Sequence, residues 1–143
     1  MKVGVLATIV FAISIGFPIA SFAGLAPDAD NDGIPDVLDK CTLDSRNATA
    51  PRTCDTDTDG YGNPCDGDFD QNFAVNGSDF GSQFVPAFKG LIAPTRGQDM
   101  DCSGGNANSN DFSKYFVPKF KGLLGGSIPG PSGLSCAGTP GCS

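Results

Sequence analysis

Every acidic residue in this 143-residue chain is an aspartate. All of them except Asp44 fall into four short clusters that begin with the spacing Asp-x-Asp. An acidic surface that serves solubility mixes aspartate with glutamate, because water solvates both alike, whereas a tight loop needs the shorter stem. Carboxylates on one-carbon stems at every second residue point several oxygens at one centre, which reads as a loop wrapped round a hard cation such as calcium. Beyond the leader described below, eight basic residues face sixteen aspartates. Such a chain repels itself without a counterion and has little affinity for nucleic acid or an anionic membrane. Up to four calcium ions would cancel the deficit, so calcium is expected as part of the folded state.

The clusters can be laid on a twelve-residue calcium loop, in which side chains act at positions 1, 3, 5, 9 and 12, a backbone carbonyl at 7, and glycine turns the chain at 6. Loop 1 (28–39) places Asp28, Asp30, Asp32, Asp36 and Asp39 at the side-chain positions, Gly33 at the turn and Ile34 at the carbonyl. Loop 2 (55–66) repeats this with Asp55, Asp57, Asp59, Asn63 and Asp66, the carbonyl coming from Tyr61. Loop 3 (68–79) carries Asp68, Asp70, Asn72, Asn76 and Asp79, with the Ala74 carbonyl, but has Phe73 where glycine belongs. That phenylalanine must accept a strained positive φ or open the turn. Loop 4 (99–111) has Asp99, Asp101 and Ser103 in order and reaches Asn108 and Asp111 one residue late, as an insertion near Gly105 or Asn106 would produce. The fourth loop is expected to bind most weakly. Solvated acidic turns are the competing reading, since Asp, Asn and Gly are also common turn formers.

The segment 1–23 reads as a secretory leader: Lys2, an apolar run over 3–15, Pro18, and small residues at Ser21 and Ala23. The run is too short for a membrane anchor and lacks a basic stop-transfer cluster. An extracellular or periplasmic product without a membrane anchor follows. Its six cysteines, Cys41, Cys54, Cys65, Cys102, Cys136 and Cys142, form an even set of the kind found in disulfide frameworks. Only the Cys136–Cys142 pair is suggested by proximity. A zinc site is disfavoured, since the chain has no histidine and no Cys-x-x-Cys. The triplets 47–49 and 76–78 fit the N-glycosylation pattern, which is frequent by chance.

A duplication follows loops 3 and 4: the segment 76–90 recurs at 108–122 with Phe80, Phe84 and Phe88 matched by Phe112, Phe116 and Phe120. Phenylalanine at i, i+4 and i+8 stacks three rings on one face of a helix. Lys-Gly closes each copy, and Pro86 and Pro118 are expected to kink or interrupt it. Packing of the six rings into a small core is the favoured reading; an exposed aromatic surface is the other. So small a core needs metal and disulfide support. The Gly/Pro/Ser-rich stretch 125–143 cannot form a core and reads as a linker, although its two cysteines argue against complete disorder.

Loops 1 and 2 resemble thrombospondin type 3 repeats, and the segment 68–122 resembles a dockerin, a tandem pair of calcium loops each followed by one helix. Together they imply a small, mostly irregular, calcium- and disulfide-stabilised protein: leader 1–23, calcium loops 24–66, a dockerin-like pair of loop-helix units 67–124 and the tail 125–143. Position 8 agrees, because Val75 and Ala107 are apolar as paired loops need for a short β contact, whereas Pro35 and Gly62 are not. The resemblance further implies a non-catalytic module with a cohesin-like protein partner, read by Gly77, Ser78, Ser109 and Asn110 at loop positions 10 and 11. A spacer or self-assembling subunit is the alternative, since no cargo domain accompanies the module. A glycosidase using two aspartates is disfavoured, because a general acid needs an apolar cleft and these carboxylates sit in polar turns.

Overall fold

Most of this chain has too few apolar side chains to bury a strand or a long helix, and regular structure is correspondingly sparse. The computed structural model describes residues 26–48 and 54–142. The leader lies outside the described residues, as does part of the 47–49 triplet. Among the described residues, three single 3₁₀ turns, Asp36–Leu38, Ser45–Ala48 and Asn63–Cys65, lie in the first half. Two helical runs lie in the second. Three disulfides, two short helices and four acidic clusters thus make up a small, mostly irregular fold.

The prolines shape both helical runs without breaking them. A proline has no N–H to donate to the carbonyl four residues back, and its ring crowds that carbonyl. Each run opens as π-helix, over Asp79–Phe84 and Asp111–Phe116, and continues as α-helix over Val85–Phe88 (α1) and Val117–Phe120 (α2). The Val85 N–H donates to the Phe80 carbonyl and the Val117 N–H to that of Phe112, each five residues back. The wider turn lets the chain stay helical up to the proline. Both runs stop as their Lys-Gly ends require. Gly90 and Gly122 adopt φ of 68° and 76°. Leu91 and Leu123 then donate to the carbonyls of Pro86 and Pro118, while Gly90 and Gly122 donate to those of Ala87 and Lys119. This double bond pattern is the Schellman stop.

The core is Phe69, Val75, Phe84, Ala87, Met100, Ala107, Tyr115 and Phe116. Only the middle rings of the two phenylalanine triplets belong to it. Phe80, Phe88, Phe112 and Phe120 are between 36% and 48% exposed, so the expectation of six core rings fails for four of them. For Phe88 and Phe120 the ring contacts give the reason. Phe80 and Phe84 both meet Phe112 and Phe116, at 5.2–5.8 Å between centroids. Among the described residues Phe88 stacks on Phe84 alone, and Phe120 meets Phe116 alone in a tilted contact. The runs cross through their first halves, and their ends diverge. Four core residues come instead from the loops: Phe69 and Met100, both fully buried, occupy position 2 of loops 3 and 4, and Val75 and Ala107 occupy position 8.

Covalent and polar ties hold the irregular remainder. Cys41–Cys65 joins the end of loop 1 to loop 2, and Cys54–Cys102 joins the start of loop 2 to loop 4. The second closes 48 residues, a constraint on the unfolded chain worth about 4 kcal/mol in the loop-entropy picture. Cys136–Cys142 forms as its proximity suggested. The tail contributes nothing to the core cluster, as its composition requires, yet it is no linker. Its Ser127 carbonyl accepts from Val75 N–H, its Pro131 carbonyl from Thr42 N–H, and its Gly133 N–H donates to Asp39. Gly138, Gly141 and Cys142 donate to the carbonyls of Asp59 and Thr58. Lys119, fully buried where the first repeat has Ala87, sends its Nζ to the carbonyls of Leu124 and Gly130.

Asp44, the aspartate outside the clusters, forms a bidentate pair with Arg46, whose guanidinium lies 4.4 Å above the Tyr115 ring. Among the described residues the isolated β-bridge is between Asp59 and Cys142, so the β contact expected through Val75 and Ala107 does not form. Both side chains are buried in the core instead, and the tail has taken the Val75 N–H.

Truncating Phe116 to alanine is expected to cost about 3–5 kcal/mol, the range for a fully buried ring, and Phe120→Ala less than about 1 kcal/mol. Equilibrium denaturation with the disulfides intact distinguishes them; equal losses would contradict the crossing described.

Candidate functional site

Four groups of three aspartates each bring carboxylate oxygens within 4.8 Å of one another: Asp28, Asp30 and Asp32; Asp55, Asp57 and Asp59; Asp68, Asp70 and Asp79; Asp99, Asp101 and Asp111. Every loop predicted from spacing therefore contributes one group. The local cause is the position-1 aspartate. Asp28 accepts the N–H groups of Asp32 and Gly33, Asp55 those of Asp59 and Gly60, and Asp68 those of Asn72 and Phe73. Asp99 accepts that of Gly104. One carboxylate thus curls the next five residues around itself.

Such a curl needs left-handed backbone at two places. Position 6 is one, with Gly33, Gly60 and Gly104 at φ of 85–90°. Phe73 takes the strained choice and sits at φ 64° instead of opening the turn. The other place is position 4, where Asn31, Thr58, Gln71 and Cys102 all have φ between 53° and 61°. Sequence reasoning missed this position because the four residues share no obvious turn signal, and a β-branched threonine is among the least suited to it.

The loops differ in how they close. In loops 3 and 4 the position-12 aspartate joins the group: Asp79 accepts from Asp70 N–H and Asn76 N–H, and Asp111 from Asp101 N–H and Asn108 N–H, at 2.7–3.1 Å. The identity of the two sets shows that the extra residue of loop 4 is absorbed between Ser103 and Asn108. Ser103 donates its N–H to Asp101, and the Asn76 amide reaches the Ala74 carbonyl. In loops 1 and 2 closure falls to position 9: Asp36 accepts from Ala29 N–H and Asn63 from Thr56 N–H, both at 2.8 Å. Asp39 and Asp66 stand outside the three-aspartate groups and accept the N–H groups of Cys41 and Asp68. Ile34 and Tyr61 are fixed through their N–H groups by Asp32 and Asp59. Asn63 does more than its position predicts, since its amide also donates to the Asp99 carbonyl and so ties loop 2 to the start of loop 4.

The electrostatics are those of a site short of positive charge. Burial and then Asp32 push the Asp30 carboxyl up to about 6. Burial, followed by Asp59 and Asp55, does the same to Asp57. Asp66 is fully buried and raised well above the usual carboxylate range, first by desolvation and then by Asp59. Burial also raises Asp59, Asp68, Asp79, Asp99 and Asp111. Lys40, 2.9 Å from the Asp55 carboxylate, is the lysine that reaches a loop group. Buried oxygens of Asp30, Asp32 and Asp70 have no hydrogen-bond donor. An all-oxygen donor set with unsatisfied carboxylates fits a hard divalent or similar cation. The residues can hold a metal ion, and their donors are those such an ion takes.

Three disulfides fit an oxidising compartment. Among the described residues no helix is long and apolar enough to cross a membrane. No protein-family model, curated protein or solved structure matches this chain.

Carboxyls whose folded pKa lies above the unfolded value bind more protons when folded. Their stabilising contribution is full below about pH 4 and lost as pH rises through about 6. In chelator the melting temperature is therefore expected to fall across that interval, and saturating calcium to remove the fall. A melting temperature that rises with pH in chelator would contradict this electrostatic picture.

Proposed function

We propose that this is an exported, non-catalytic protein whose four aspartate loops bind calcium, and which uses the ordered loop-helix units to meet a protein partner. The observation that carries the reading is the convergence of three carboxylates in each loop in a chain with too few bases to neutralise them. Calcium would be held by Asp28, Asp30 and Asp32, by Asp55, Asp57 and Asp59, by Asp68, Asp70 and Asp79, and by Asp99, Asp101 and Asp111. Its role is structural, supplying the positive charge that lets buried carboxylates stay ionised. Calcium is preferred over magnesium because loops of this length offer many flexible oxygens, whereas magnesium keeps its water and demands a stricter octahedron.

A dockerin-like role is supported by the loop-then-helix order of residues 68–122 and by the exposure of Gly77, Ser78, Ser109 and Asn110 just before the helical runs. Those residues would read a cohesin-like partner. Hydrolysis is disfavoured: the carboxylates sit in tight backbone turns, and the chain has no histidine. A second reading, a calcium-stiffened spacer or assembly subunit, draws support from the Cys54–Cys102 bridge and the stitched tail, which fasten the thrombospondin-like loops to the helical units.

Calorimetric titration of the chelated, disulfide-bonded protein is expected to count up to four calcium ions, with loop 4, where Ser103 replaces a carboxylate, filling last. Asp55→Asn should remove one ion from the count. Calcium should also raise the melting temperature and the helical circular dichroism; indifference of all three signals would sink the proposal.

A further inference from the structure

The helix pair leaves a cleft of about 280 Å³ lined by Phe80, Phe84, Val85, Phe88, Lys89 and Phe112. Its walls are aromatic and aliphatic, and among the described residues its charged lining is Lys89 alone. Lys121 holds the equivalent place in the second repeat and is exposed. The slot therefore pairs apolar walls with a cationic rim.

Exposed aliphatic side chains set among carboxylates are present on the same molecule. Val37 and Leu38 are 65% and 67% exposed, on the 3₁₀ turn Asp36–Leu38 of loop 1. Two aliphatic side chains thus project from a loop of five aspartates, which one divalent ion would leave negative. The turn is held by hydrogen bonds: Asp36 N–H donates to Pro27, Leu38 N–H to Pro35, and the Asp36 carboxylate accepts from Ala29. A fixed knob loses little entropy on docking. Neither knob residue lines the cleft, so the contact joins two different surfaces.

We infer that the cleft receives the Val37–Leu38 knob of a second copy of this chain, in a head-to-tail contact that places the acidic loop 1 against Lys89. A contact between unlike surfaces does not close on itself at two copies and propagates into chains. Face-to-face pairing of two clefts would instead set Lys89 against Lys89 and leave both knobs in water. The inference takes up the assembly-subunit reading and names its partner, and it does not depend on which ion fills the loops.

Sedimentation of the disulfide-bonded protein in calcium tests it. The wild type is expected to grow beyond dimer with concentration. A knob variant, Val37→Ser with Leu38→Ser, and a cleft variant, Phe88→Ser with Lys89→Glu, should each be monomeric. Mixed in equal amounts they should form dimers and nothing larger, because each retains the half that the other lacks. Lys89→Glu alone, a change at an exposed position, should weaken association by about tenfold. A wild type monomeric at every concentration, a knob variant that still associates, a mixture that stays monomeric, or an unaffected Lys89→Glu would each overturn the inference. A wild type that counts calcium yet stays monomeric would reject this contact and leave the calcium proposal standing; one that assembles without binding calcium would do the reverse.

Discussion

Crowding of carboxylates is the constraint on which the rest of this structure depends. Each loop is curled by its first aspartate, which gathers backbone N–H groups from the far side of the turn. The same curl brings two further carboxylates within 4.8 Å. Hydrogen bonding and charge repulsion therefore act on the same atoms in opposite directions. A divalent cation would resolve the conflict, because it would leave the N–H bonds in place and convert the repulsion into shared attraction.

Loops of this kind cannot build a core, so stability has to come from elsewhere. The eight-residue core is assembled only where loops 3 and 4 supply an apolar residue at positions 2 and 8 and are followed by phenylalanines. Loops 1 and 2 have Ala29 and Thr56 at position 2 and are instead held by two disulfides, by Asn63 and by the tail. The two halves use the same turn chemistry and different means of fastening. Their closures differ accordingly: position 12 seals a loop that a helix follows, and position 9 seals a loop that a 3₁₀ turn overlaps.

The acidic clusters were legible because such a loop is local: all its parts lie within about twelve residues, and spacing alone places them. The same logic left Phe73 either strained or opening the turn, a choice only the structure made, and it did place the glycine stops of both helices. The left-handed position 4 did not, since its occupants Asn31, Thr58, Gln71 and Cys102 are chosen by no common chemistry. The burial of the outer phenylalanines was misjudged for a different reason. Periodicity says which side chains share a face, and it is silent on how much of that face a neighbour covers.

By itself, then, the sequence determined where the acidic loops begin, where the helices stop, and that a chain so short of apolar residues needs disulfides. Only the tertiary structure decided which cysteines pair, that the Gly/Pro/Ser-rich tail is stitched to loops 1, 2 and 3, and which rings are buried. The physical reason is the range of the forces involved. Turn geometry and carboxylate spacing act within one loop, whereas a tail carbonyl that accepts from Val75 or Lys119, and a helix crossing that buries Phe84 and Phe116 but leaves Phe88 and Phe120 half in water, exist only once distant segments have met.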